Sequence, residues 1–270
     1  MNQQGNEPQL SASESTRLKE DLEESGYAIL RNVVPKGPLR ELNDRLIEAY
    51  ESSEKFEGGG TIVGHLNCFP GESARFVYDA LHDYGIVGAV LALREGKSNE
   101  ILSRVNWNLP DSSAQHYHMD SAFANDWIIC NIAIVDVNPE NGPMDVLPGT
   151  HREFYPYWRF ALERKAKLST LLAMEQGDVL VRTSNLWHRG TPNRTKAARP
   201  LMSLTFGEPS AREGDPFVLN GSGITFYPNW YGNATRKDIL RERIEKALPV
   251  TRSAGRFVKS IVRPHGYDGY

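Results

Sequence analysis

Residues 115–120 read Gln-His-Tyr-His-Met-Asp. In an extended chain, side chains two positions apart share a face. His118 and Asp120 therefore project into one space, and His116 with them. One imidazole and one carboxylate at this spacing make two thirds of a facial triad. A second imidazole from elsewhere would complete it and leave three positions of a non-haem Fe(II) ion open. An isolated His-x-Asp arises often by chance, so the distant imidazole decides its weight. His188 is the candidate: it follows the turn and strand-like run Gly177–Arg182 and stands just before Gly190-Thr191-Pro192-Asn193. Taken alone it could equally be a core or surface histidine. His116 keeps a three-histidine alternative open, with His118 and His188. Arg199 lies eleven positions after His188 and opens the run to Gly207. A buried arginine needs an anion, and guanidinium suits a small dicarboxylate; an Asp, a Glu or solvent would also serve it.

The elements that must position these groups can be read coarsely. Residues 1–15 are polar and are expected to form a loose arm. An amphipathic helix is predicted over Thr16–Ser25, a strand over Tyr27–Val34, a helix over Pro38–Tyr50 and a helical stretch over His82–Leu93. From about residue 100, short strand-like runs recur between turn residues: Ile101–Leu109, Gln115–Asp120, Trp127–Val137, Met144–Leu147, Asp178–Arg182 and Arg199–Gly207. That rhythm predicts a β-sandwich or barrel. Glu153–Ala173 interrupts it with an aromatic segment and a helix. Thr235–Ala247 is a further helix, with Ile239, Leu240, Ile244 and Leu248 as packing candidates. The predicted class is α+β, a β core with flanking N- and C-terminal helices in one domain.

Composition narrows the function. The 270 residues are 40% apolar and 24% charged, with a net charge of −3, which fits a globular chain and not a disordered or globally basic one. The longest apolar run, near Ile86–Leu93, is too short to span a bilayer. The N-terminus lacks the apolar stretch of a signal peptide, so a cytoplasmic location is expected. Cys68 and Cys130 read as buried thiols rather than a disulfide framework. The C-terminal region is rich in Lys and Arg, but no aromatic residues are interleaved for base stacking. No nucleic-acid or membrane partner is expected, and the oligomeric state is open.

Together and in order, four segments resemble the phytanoyl-CoA dioxygenase family. They are Glu24–Val34 (ESGYAILRNVV), Gln115–Asp120, Glu140–Arg152 (ENGPMDVLPGTHR) and Gly177–Phe206. The resemblance runs from about residue 16 to 207. It implies a double-stranded β-helix (a jelly-roll, cupin-like core at about 100–207) and an oxygenase that uses Fe(II), 2-oxoglutarate and O2. His118, Asp120 and His188 would bind the iron, and Arg199 the distal carboxylate of 2-oxoglutarate. Asn106 and Asn131 would line the cosubstrate pocket. Relatives often carry a hydroxyl residue two positions past the distal histidine that bonds the cosubstrate; here that position is Gly190, and Thr191 next to it is the candidate for that cosubstrate contact. Related halogenases have Ala or Gly where this chain has Asp120, so hydroxylation of a small molecule is expected, with release of succinate and CO2. Desaturation, epoxidation and ring closure share the same oxidant. A non-catalytic binding protein on the same barrel is the rival from another class. Analogy within the family points to bacterial biosynthesis or catabolism. The aromatic segment Phe154–Phe160, with Tyr157 and Trp158, is a candidate lid or substrate wall, or else an exterior helix. Trp127, Tyr227 and Trp230 are further substrate-side candidates.

Overall fold

The computed structural model describes residues 9–54, 62–123, 127–154, 156–208, 211–226 and 235–262. Tyr227 and Trp230 lie outside them.

The first helix, α1 (Ala12–Glu24), starts earlier than predicted because Ser11 caps it. The Ser11 hydroxyl accepts from the Glu14 N–H at 3.2 Å, and the Glu14 carboxylate accepts from the Ser11 N–H at 2.8 Å. This reciprocal pair satisfies two N-terminal donors and pulls residues 12–15 out of the expected arm. Strand β1 (Tyr27–Leu30) follows, then α2 (Lys36–Ser52), whose Leu39, Leu42 and Leu46 are fully buried on one stripe. After β2 (His65–Phe69) come α3 (Arg75–Tyr84) and α4 (Ile86–Leu93). They are separate helices because Gly85 adopts φ +95°, a conformation that costs glycine little. Leu42→Ala is expected to lower the unfolding free energy by about 2–5 kcal/mol, through lost transfer energy and the cavity left behind. A denaturant midpoint that barely moves would show that α2 is not seated on the sheet.

The β core comprises β3 (Ile101–Asn108), β4 (Ile128–Ala133), β5 (Met144–Val146), β6 (Thr170–Leu172), β7 (Val179–Thr183), β8 (His188–Gly190), β9 (Arg199–Phe206) and β10 (Thr225–Phe226). Between β5 and β6 lies the short α5 (Tyr157–Leu162), and the described chain ends in α6 (Arg236–Ala247) and α7 (Pro249–Val262). Seven strands form an antiparallel sheet in the order β1-β7-β4-β9-β3-β2-β10, and three form a second sheet, β6-β5-β8. The two sheets are the walls of a double-stranded β-helix. The large sheet reaches outside residues 100–207 at both ends, through β1, β2 and β10.

Alternation along the strands sorts side chains into layers. Val105, Trp107, Cys130, Ile132, Val181, Met202 and Leu204 pack with the helices on one face of the large sheet. Ala133, Leu180 and Leu201 point the other way, between the sheets, with Val146 and Leu186. A third layer, with Tyr117, Met119, Leu147, Tyr157, Phe160 and Trp187, covers the outer side of the small sheet. The C-terminal helices correct one expectation. Leu240, Ile244 and Leu248 are largely exposed. Packing comes instead from α7, where Phe257 joins the outer layer and the Ser260 hydroxyl accepts from the Trp158 N–H at 2.9 Å.

Both cysteines are buried and free. Burial pushes the Cys130 thiol up to about 12 and also raises Cys68. Thiolate is the reactive form, so neither cysteine is expected to react with a thiol reagent near pH 8 until the chain unfolds. Rapid labelling of the native protein would contradict the packing of β2 and β4.

Candidate metal centre

The segment 115–120 is extended but joins no regular ladder. It meets β8 through one antiparallel bridge, His118 to His188. The two residues exchange N–H···O bonds of 2.9 Å in both directions, and the Asp120 N–H donates to the Ser184 carbonyl at 2.9 Å. These bonds bring two imidazoles, distant in sequence, side by side, with ring centroids 4.4 Å apart. The turn Glu140–Arg152 secures β8 from beyond. The Thr150 hydroxyl accepts from the Trp187 N–H at 3.0 Å, and the Leu147 N–H donates to the Trp187 carbonyl at 2.9 Å.

Each imidazole is held by the same device. His118 Nδ1 lies 2.8 Å from the His116 carbonyl, and His188 Nδ1 lies 2.9 Å from the Leu186 carbonyl. A carbonyl only accepts, so each Nδ1 carries the proton and each lone pair sits on Nε2. Asp120 Oδ1 lies 3.7 Å from His118 Nε2 and 3.5 Å from His188 Nε2. The three ligand atoms fall within 4.8 Å of one another, the geometry of a site for one ion. Asp120, not His116, completes the set. Burial drives the His188 imidazole down to about 3, so it is neutral at physiological pH, as a ligand must be. Burial alone would raise the Asp120 carboxyl. The Arg182 guanidinium beside it outweighs that and holds it well below the usual carboxylate range.

Arg182 was not among the predicted site residues. It lies on the inner face of β7, two positions from Leu180, and its Nη2 is 2.6 Å from Asp120 Oδ2. Its Nε donates to Asn131 Oδ1 at 2.9 Å. Asn131 does face the cavity, but its carbonyl oxygen is spent on Arg182. One signal was available: an arginine at an inward position of the otherwise apolar strand Val179–Thr183.

Arg199 opens β9 on the inner face, two positions before Leu201, and is buried. Nη2 donates to the Gly142 carbonyl at 2.8 Å, whereas Nε and Nη1 are buried without a hydrogen-bond partner. Gly142 has φ +86°, and a Cβ there would collide with the Asn108 side chain and the Thr191 carbonyl, so the turn needs glycine at this point. Burial lowers the Arg199 guanidinium to about 10, which leaves it charged at neutral pH. Asn106 shares the inner face of β3, in register with Leu201.

Other expected residues are placed differently. The Thr191 hydroxyl donates to the Pro143 carbonyl at 2.7 Å and is committed to the turn. Beside Gly190 the space is filled by the Gln115 carboxamide, whose Oε1 accepts from the Gly190 N–H at 2.8 Å and lies where a side chain at 190 would begin. Tyr157 does not line the cavity. It stacks near Phe160 and Trp187 on the outer side of the small sheet, with the Arg256 guanidinium 4.7 Å above its ring. Trp158 is anchored to α7 by its backbone. Their segment is an exterior helix, because its aromatic residues meet the outward faces of Tyr117 and Trp187. Trp127 is buried next to the Asp120 anchor: its N–H donates to Ser184 Oγ at 3.2 Å, and its carbonyl accepts from the Ser184 N–H at 3.0 Å. His151 Nε2 reaches the Glu23 carbonyl at 3.2 Å, a structural tie to α1.

Comparison with known proteins agrees with this arrangement. The family model for phytanoyl-CoA dioxygenase (PhyH) matches residues 22–201. The chain belongs to the phytanoyl-CoA dioxygenase family. Its match to the dioxygenase lolE1 of Epichloe uncinata is 32% identical over 112 residues, covering 38% of this chain and 43% of that protein. Solved structures share the PhyH fold at lower identity. The epimerase SnoN, crystallised with Fe3+, alpha ketoglutarate and nogalamycin RO, is 17% identical with a TM-score of 0.58, covering 80% of this chain and 96% of SnoN. The carbocyclase SnoK from nogalamycin biosynthesis is 17% identical with a TM-score of 0.57, covering 79% of this chain and 91% of SnoK. HygX from Streptomyces hygroscopicus, with nickel and 2-oxoglutarate bound, is 13% identical with a TM-score of 0.51, covering 77% of this chain and 95% of HygX.

The PhyH family uses iron and 2-oxoglutarate, and the residues here fit both. Two imidazoles with Nε2 lone pairs and one carboxylate suit a non-haem iron with open positions. The two unpartnered donors of Arg199 suit a carboxylate, since a buried guanidinium left without an anion is costly.

Proposed function

We propose that this protein is an Fe(II)- and 2-oxoglutarate-dependent oxygenase that hydroxylates a small organic substrate, in secondary metabolism or catabolism. The observation that carries the reading is the pairing of the His118–Asp120–His188 cluster with a buried arginine whose donors lack an anion. His118, Asp120 and His188 would hold the metal, and Arg199 would fix the far carboxylate of the keto acid. Arg182, braced by Asn131, keeps Asp120 Oδ1 turned toward the two imidazoles. The apolar groups between the sheets, Ala133, Val146, Leu180 and Leu201, exclude bulk water. When bound, the iron supplies the oxidising chemistry: O2 and 2-oxoglutarate are consumed, succinate takes one oxygen atom, CO2 leaves, and the second oxygen atom enters a substrate C–H bond.

Succinate release measured against a panel of small molecules, with product mass, tests the proposal. Hydroxylation adds one oxygen atom to the substrate. Loss of two hydrogen atoms would replace hydroxylation by desaturation or ring closure. That second reading draws support from the carbocyclase SnoK among the structural neighbours. Absence of any metal-dependent succinate, with or without substrate, would favour a binding protein.

A further inference from the structure

Arg182 has more hydrogen-bonding capacity than its neighbours use. Its side chain is 5% exposed. Nη2 is taken by Asp120 and Nε by Asn131, whereas Nη1 is buried with no hydrogen-bond partner. Leaving a donor of a charged group buried and unmade is costly, so the position is suited to an acceptor from outside the chain.

Charge balance specifies that acceptor. Among the described residues, the charged groups on the inner face nearest the triad are Asp120, Arg182 and Arg199. Arg104, further along β3, is matched by Glu208 at 3.4 Å. As metal ligands both imidazoles are neutral. A divalent ion and a dianionic keto acid cancel as a set, and Asp120 offsets one guanidinium. One positive charge is left in a site shielded from water, where an unbalanced charge is expensive. The guanidinium of Arg182 already touches Asp120 and carries the spare donor.

The geometry points to a substrate that bears a carboxylate, seated on Arg182 Nη1 beside the metal. The inference rests on the oxygenase reading above and names its substrate class. An acid held there keeps the carbons next to its carboxylate close to the metal, the arrangement that proximity catalysis requires.

The test uses the full chain under anaerobic conditions with Fe(II) and saturating 2-oxoglutarate. Straight-chain carboxylates from acetate to octanoate, and their primary amides, are added while the visible charge-transfer band is followed. The band before any acid is added reports on the oxygenase reading separately. At least one acid is expected to shift the band, with its amide at least about tenfold weaker. In Arg182→Lys, titrated at Fe(II) and 2-oxoglutarate concentrations raised until both sites are filled, the affinity for that acid should fall at least about tenfold. The wild-type comparison of acid with amide stands even if the variant folds poorly. The inference is overturned if no acid shifts the band, if acid and amide act alike, or if Arg182→Lys binds the acid as well as the wild type. If only 2-oxoglutarate affinity drops in the variant and no acid acts on the wild type, Nη1 serves the cosubstrate and the inference also fails.

Discussion

His118→Ala is expected to abolish metal-dependent turnover while the fold survives. The His118 backbone bonds to His188 do not need the imidazole, so the bridge that shapes the site remains. What is lost is the Nε2 lone pair, the Nδ1–H bond to the His116 carbonyl and the ring contacts with His116 and His188. Removing a group that merely supports a ligand costs about 10–100-fold in metal affinity or activity, and removing the ligand itself should exceed that. Asp120→Ala should remove the metal equally but behave differently as a protein. Arg182 would then stay buried with its charge unopposed, and breaking such a pair costs about 3–5 kcal/mol. The metal-free Asp120→Ala chain should therefore melt below metal-free His118→Ala. Iron stoichiometry and thermal unfolding of the two variants check both halves. Full turnover in His118→Ala would refute the ligand assignment, and equal melting temperatures would refute the Arg182 pairing.

Arg199→Ala is expected to damage 2-oxoglutarate binding while sparing the metal. Hydrogen bonds to charged groups contribute about 1.5–3 kcal/mol each, and Arg199 has two unpartnered donors. Its removal should weaken 2-oxoglutarate by at least about tenfold, and by considerably more if both donors reach the carboxylate. Arg199 touches none of the three metal ligands; its hydrogen bond runs to the Gly142 carbonyl. Iron affinity without 2-oxoglutarate should therefore stay near the wild-type value. Direct titration separates the two effects. Unchanged 2-oxoglutarate affinity would remove Arg199 from the pocket, and a parallel loss of iron would show that the variant disturbs the whole barrel.

The candidate triad and the buried position of Arg199 are legible because each residue stands out against its local pattern. His118 and Asp120 share the period-2 face of an extended segment, His188 precedes a turn, and Arg199 opens a long apolar strand. Arg182 was hidden for the opposite reason. A single arginine late in an apolar strand reads as the point where the strand meets solvent, and only the register of β7 against β4 shows it facing inward beside Asn131. Thr191 was misplaced because adjacency in sequence does not reveal that Gly190 follows the inward face while the next hydroxyl turns to Pro143. Tyr157 and Trp158 stay between two readings in the sequence because aromatic residues at helical spacing serve a lid or an outer packing layer equally well. Among the elements, β2 is not read from the sequence because His65–Phe69 is short and mixes polar and apolar residues, even though Gly64 and Pro70-Gly71 bound it. α7 was missed because Pro249 and Gly255 weaken its helical signal. Both are settled by long-range pairing, β2 against β3 and α7 against α5, which no local pattern reports.

The central claim is that His118, Asp120 and His188 bind one ferrous ion and leave room for a keto acid. Anaerobic titration of the purified chain with Fe(II) and 2-oxoglutarate tests it most directly. A visible charge-transfer band should saturate at one iron per chain and be absent from His118→Ala. A chain that shows no band at saturating Fe(II) and 2-oxoglutarate, or a band that survives in His118→Ala, would contradict it.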